Sequence, residues 1–218
     1  MFIHQHPYAP FINEETEKLI VGTIPPPRFT TGELFPDDVD FCYGSRFGLL
    51  WPILERIYGH ELDYENTSNS IEQRKQLLIR NGLGICDMVE RCTRRRMEAS
   101  DLGMQDIVLR DLPNILSAHP AIKRILFMGG ASKNGPEYLF AKQARERGFK
   151  IQLTRSERPR IHELRLEERR IECVSLISPS SAANRAIGGH PQYKKMKGLD
   201  PNYTTLDFRV SQFREFLH

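Results

Sequence analysis

Four cysteines in 218 residues leave little from which to build a metal cluster. Cys42, Cys86, Cys92 and Cys173 form no CxxC pair, so a zinc or iron–sulfur site is not expected. Their apolar surroundings predict buried, reduced thiols. The seven histidines show no ligand spacing either, and His4 and His6 stand at a terminus expected to fray. No apolar run approaches the length of a membrane span. The opening MFIHQHPYAPF lacks the basic-then-apolar pattern of a leader, which makes the cytoplasm the expected location. GxGxxG and GxxxxGK[ST] are both missing, so dinucleotide and nucleoside-triphosphate binding lose their main support. Repeats, linkers and low-complexity tracts are missing too. Nor does one sign of charge dominate. With 31 basic and 28 acidic residues the net charge is only +3, which by itself assigns no nucleic-acid partner.

What is present fits one domain over residues 1–218, acting as a monomer. Apolar residues make up 39% and charged residues 27%, which excludes the disordered and membrane classes. Five apolar runs predict strands: 19–22, 83–86, 124–128, 150–153 and 171–177. Between them lie helical patterns. Phe47, Leu50, Trp51, Leu54, Ile57 and Tyr58 keep three-and-four spacing, with Pro52 in the first turn. A helix over 71–80 follows the capping candidates Asn69 and Ser70. Another over 136–147 begins at a proline and ends before Gly148. A last one, near 207–217, carries Val210, Phe213, Phe216 and Leu217 on one face. Strands alternating with helices predict an α/β fold with a mainly parallel sheet covered on both sides. The mixed-charge stretch 155–170 reads as a solvated helix face or loop.

Two segments are rigid and end a strand. LIVGTIPPP (19–27) runs from a buried strand into three prolines, whose φ is fixed and which lack donors. ISPSSAAN (177–184) follows the strand IECVSLI. The carboxyl ends of parallel strands are where α/β folds place ligands, so two such lips predict a single pocket built from both.

These residues carry a family resemblance. The chain resembles the uracil-DNA glycosylase superfamily, nearest to the branch holding the mismatch-specific and hypoxanthine-DNA glycosylases. LIVGTIPPP resembles its first motif. YGSRFGLLWPIL (43–54), GICDMVERC (84–92), LPNILSAHPAIKRILFMGG (112–130) and ISPSSAAN follow in the family's order. The resemblance implies a three-layer α/β/α sandwich around a four-stranded mainly parallel sheet. It also implies hydrolysis of the N-glycosidic bond of uracil or another deaminated base flipped out of DNA, with no metal or cofactor.

Residue by residue, the resemblance places Asp87 against the flipped base, after a strand and before a helix. Without it, Asp87 reads as a helix N-cap. An ionised carboxylate only accepts, so Asn at 87 is expected to serve uracil as well or better. Gly22, Ile24 and Pro25 line the first lip. Ile24 stands where many relatives carry Asp or Asn, leaving Thr23 to hold the water. Alignment on Arg46-Phe47 puts Ser45 at the branch's water-positioning Asn, whereas alignment on Trp51 puts Gly48 there. Tyr43 and Phe47 are the stacking candidates, with Phe41 and Trp51 left to the core. Ser178, Ser180, Ser181 and Asn184 form the second motif, where many relatives carry a histidine. Each is also an ordinary turn residue. Ser132 and Lys133 are placed to meet a DNA phosphate, or form a plain turn. The basic loop 184–203 offers Arg185, Lys194, Lys195 and Lys197 to phosphates and Met196 or Leu199 as a wedge. Its alternative is a solvated loop. Two rival functions remain open: a family member that binds nucleic acid without excision, and an α/β hydrolase or transferase acting on a free nucleoside.

Overall fold

The computed structural model describes residues 1–130 and 132–217. The first half holds β1 (Phe2–Gln5), β2 (Lys18–Gly22), α1 (Pro27–Thr31), α2 (Leu50–Tyr58), α3 (Ser68–Arg80), β3 (Leu83–Asp87), β4 (Val89–Arg94) and β5 (Met104–Leu109). The second holds α4 (Leu112–Ala118), β6 (Arg124–Met128), α5 (Pro136–Glu146), β7 (Lys150–Arg155), β8 (Arg160–Leu166), β9 (Arg169–Leu176), α6 (Asn184–Gly188), α7 (Pro191–Leu199) and α8 (Thr205–Leu217). One sheet has the order β3-β2-β6-β9-β8-β7 and a second the order β1-β4-β5. β3, β2, β6 and β9 pair in parallel, and β8 and β7 extend the same sheet antiparallel. The expected four-stranded sheet is thus corrected to a six-stranded, mostly parallel one, with a separate antiparallel sheet beside it.

Burial on both faces explains why the parallel strands read as continuous apolar runs. Leu19, Val21, Ile125 and Phe127 face Leu112 and Leu116 of α4 and Leu139, Phe140 and Ala144 of α5. Ile20, Ile85, Leu126 and Val174 face the opposite way, onto Trp51 and Leu54 of α2, Leu77 and Leu78 of α3, and Phe213 and Leu217 of α8. Each such side chain contributes roughly 1.5–3 kcal/mol on burial. Pro52 does sit in the first turn of α2, which Gly59 closes in the left-handed region at φ 69. Phe41 and Trp51 are core residues.

Other expectations are corrected. Thr67, not Asn69 or Ser70, caps α3, accepting from the Ser70 amide at 3.2 Å. The stretch 155–170 contains strand β8, because Leu164 and Leu166 alternate inward between charged residues. Its charges are the solvent side of a half-buried strand. Asp87 is followed by strand β4 and not by a helix, since Val89 and Thr93 pair with β5. The histidine-bearing terminus does not fray: it is β1, paired with β4, and His4 and His6 are buried. The basic loop after the second motif is helical, forming α6 and α7. Among the described residues no helix is long and apolar enough to cross a membrane.

Candidate active site

Parallel pairing brings the carboxyl ends of β2 and β3 side by side, with Gly22 opposite Asp87. Each carboxylate oxygen of Asp87 has a donor. Oδ1 accepts from the Gly22 amide at 3.1 Å, and Oδ2 meets His6 Nε2 at 2.9 Å. The Tyr8 amide donates to His6 Nδ1 at 3.1 Å. That nitrogen is therefore unprotonated, and the proton of the neutral ring sits on Nε2, aimed at Asp87. Asp87 is buried and caps no helix.

Tyr43 closes this group. Its backbone is left-handed, at φ 57, between the core residues Phe41 and Cys42 and the Gly44 turn. Its hydroxyl is buried without a hydrogen-bond partner. A Cβ on Gly22 would lie 2.1 Å from that hydroxyl oxygen and 2.5 Å from Asp87 Oδ1, so glycine is what lets the three groups meet. Burial, then the charge of Asp87, holds the phenol's pKa well above its usual range, so it stays a donor.

Thr23, one residue on, points to a different carboxylate. Its hydroxyl donates to Asp101 Oδ2 at 3.2 Å. Asp101 lies in the connection between β4 and β5 and is half-buried. Burial pushes its carboxyl up to about 6, against the opposing pull of the Thr23 hydrogen bond and Arg94. Ile24 packs on the apolar face with Val21 and offers no polar atom. Pro25 follows on the same partly exposed lip.

The second lip reaches the first through residues 43–49. Gly48 bridges Ser180, and the Leu49 amide donates to the Pro179 carbonyl at 2.8 Å. Arg209 of α8, fully buried, holds this lip in shape. It donates to the Ser178 carbonyl at 3.1 Å, the Ser180 carbonyl at 2.7 Å and Asn184 Oδ1 at 2.9 Å. Burial lowers its pKa to about 10, which leaves it charged. The Ser180 hydroxyl caps the turn through the Ala182 amide, and Ser181 is exposed.

The remaining candidates stand apart. Ser45 Oγ accepts from Arg28 at 2.7 Å, within the Arg28–Asp38 pair. Phe47 is 57% exposed, against the expectation of a pocket wall, and packs with Phe35 and Arg46. Ser132 and Lys133 are exposed beyond the end of β6. Arg185, Lys194 and Lys195 are exposed on α6 and α7, with Met196 half-buried beside them. Lys197 is occupied, donating to the carbonyls of Pro201 at 2.6 Å and Tyr203 at 3.0 Å. A recess of 180 Å³ between the β7–β8 hairpin and α8 includes Arg155, Pro159, Phe208 and Gln212 in its lining, and none of the groups above. Among the described residues no three metal-ligating side chains cluster.

Superposition relates the chain to solved structures. The chain is similar to the solution NMR structure of a "putative Uracil DNA glycosylase" from Methanosarcina acetivorans, with a TM-score of 0.55 over 96% of this chain and 99% of that one. The two share a fold. At 17% identity the likeness extends no further than that. No family model and no curated protein matches.

Sequence reasoning missed three residues of the site. His6 and Asp101 reach it from 81 and 78 residues away from their partners, Asp87 and Thr23, and no local motif marks them. Arg209 had one faint signal, a charge inside the apolar face of α8.

Proposed function

We propose that this chain is a monofunctional DNA N-glycosylase that releases uracil or a related deaminated base flipped out of DNA. The observation that carries this reading is the buried, unpartnered Tyr43 hydroxyl beside the Asp87 carboxylate. A donor and an acceptor side by side match an N–H next to a carbonyl, the edge that uracil and hypoxanthine share. Asp87 keeps spare lone pairs for the N–H, and Tyr43 donates to the carbonyl. Asp87 alone would repel that carbonyl, and the phenol removes the conflict. The shared fold and the two joined lips support the same reading. The test is strand cleavage after alkali, using labelled single- and double-stranded oligonucleotides bearing uracil, hypoxanthine or xanthine. Excision of at least one base is expected, at the same rate in excess EDTA. Release of none defeats the reading, and activity lost in EDTA and restored by zinc or magnesium defeats its metal-free form.

Ile24 favours a second reading, a nucleic-acid binder without turnover, because it puts a methyl-bearing wall where a polar group would hold water. Tight binding of every oligonucleotide with no excision would select it.

DNA contact falls to the exposed cations of α6 and α7. Lys194→Ala with Lys195→Ala should flatten the salt dependence of DNA binding by about two units of log–log slope. Lys197→Ala should leave the slope unchanged and lower Tm, since its ammonium ties down the chain after α7. Equal slopes for all variants would place the phosphates elsewhere.

A further inference from the structure

We propose that the Asp101 carboxylate, held by the Thr23 hydroxyl, aligns and deprotonates the water that attacks the sugar. The inference rests on the glycosylase reading. Asp101 is the carboxylate the first motif lacks in its own sequence, delivered from the β4–β5 connection instead. That connection is pinned at its tip. Arg94 donates to the Ser100 carbonyl at 2.7 Å, and the buried Asn134 side chain donates to the Asp101 carbonyl at 3.0 Å. Arg94 is itself buried and oriented by His4 Nδ1, which accepts from its Nε at 2.8 Å. Burial, then neighbouring Arg94, lowers the His4 pKa to about 4, so at neutral pH the ring accepts and holds the arrangement.

Other titratable and charged groups lie within electrostatic reach of Asp101. Arg94 and Cys92 come from β4, Asp87 from the end of β3 and Tyr43 from the 43–49 segment, while Thr23, just past the end of β2, touches it directly. Adjacent residues of one strand end hold the two carboxylates, Gly22 through its amide to Asp87 and Thr23 through its hydroxyl to Asp101, and both charges act on the buried, unpartnered Tyr43 hydroxyl. The two acids then divide the work. Asp87 has both oxygens held by donors and faces the base, while among the described residues the side-chain donor on Asp101 is the neutral Thr23 hydroxyl, which leaves lone pairs for water.

In the step itself, a water lone pair forms the bond to the sugar C1′. The C1′–N bond breaks, and its electron pair leaves on the base nitrogen. One water proton passes to Asp101. The base anion takes a proton from solvent, and Asp101 returns its own to solvent. The products are an abasic sugar and a free base. Asp101 must be ionised at the start, so excision should fall as pH drops through about 6.

The experiment measures single-turnover excision from pH 5 to 9 for wild type, Asp101→Asn and Thr23→Val, with DNA binding and Tm in parallel. Asp101→Asn is expected to lose about 100-fold at pH 8, to keep its DNA affinity, and to lose the acid limb. Its Tm should rise at pH 8 and match wild type near pH 4, since a carboxyl whose pKa is raised by folding costs stability only once ionised. Thr23→Val removes a hydrogen bond that favours the ionised form, so its acid limb should move to higher pH. Wild-type activity in Asp101→Asn, or an acid limb unmoved in Thr23→Val, overturns the proposal and leaves the glycosylase reading standing. A wild-type protein that releases no base overturns both.

Discussion

Asp87→Asn is expected to lose stability and excision together. The sequence alone favours the amide, because Asn both donates and accepts toward a base. The structure reverses that expectation. Oδ1 faces the Gly22 amide and Oδ2 faces His6 Nε2, so both positions require an acceptor. An amide offers one oxygen, and its NH₂ must then confront a donor. His6 has no way to adapt, because its other nitrogen already accepts from the Tyr8 amide. One buried donor left without an acceptor costs about 1–3 kcal/mol. Asp87→Ala strands two and should cost about 2–6 kcal/mol on the same scale. Excision should fall by at least about tenfold in either variant, the scale of one lost contact. Urea melts with excision assays check this. Asp87→Asn as stable and as active as wild type would mean that Asp87 contacts neither donor in solution.

Tyr43→Phe and Gly22→Ala should move stability in opposite directions while both reduce excision. The Tyr43 hydroxyl is buried without a partner, so deleting it removes a desolvation cost and should stabilise the fold by about 1 kcal/mol. In a chain of this length that is a rise in Tm of about 2–4 °C. The base would lose its donor, and release should fall about tenfold or more. Gly22→Ala forces a methyl group to within 2.1 Å of the same hydroxyl and 2.5 Å of Asp87. Relief requires both side chains to shift, at about 1–3 kcal/mol, the range for overpacking. A more stable, inactive Tyr43→Phe beside a less stable, inactive Gly22→Ala would identify a site kept strained for use. Full activity in Tyr43→Phe would remove the phenol from the base-binding role.

Where apolar residues run together, the fold was legible. β2 and β6 are buried on both faces and apolar after their first residue, and β9 interrupts its apolar run only at Glu172 and Ser175. β8 was not legible, because its two core leucines alternate with Glu163 and Arg165 and the charges dominate the reading. β1 was missed for a related reason: its inward residue is a histidine, which composition assigns to the surface. The segment after Asp87 reads equally well as a helix until its pairing with β5 is seen. Gly22, Tyr43 and Asp87, which the fold brings together, were legible as candidates because each lies in or beside a motif. His6, Asp101 and Arg209 were not, because their roles depend on contacts across the fold and not on spacing along the chain.

The joined lips carry a consequence for the order in which the chain assembles. Gly22 meets Asp87 across 65 residues and His6 meets it across 81, while Gly48 reaches Ser180 near the other end of the chain. Closing such long loops costs entropy before any contact repays it, so they form late. The hydrogen bonds within α2, α3 and α5 are local, so these helices can begin to form before those loops close. During refolding, helical signal should therefore return before the site is assembled, and a chain released before α8 has emerged would carry every motif with its second lip unsupported by Arg209.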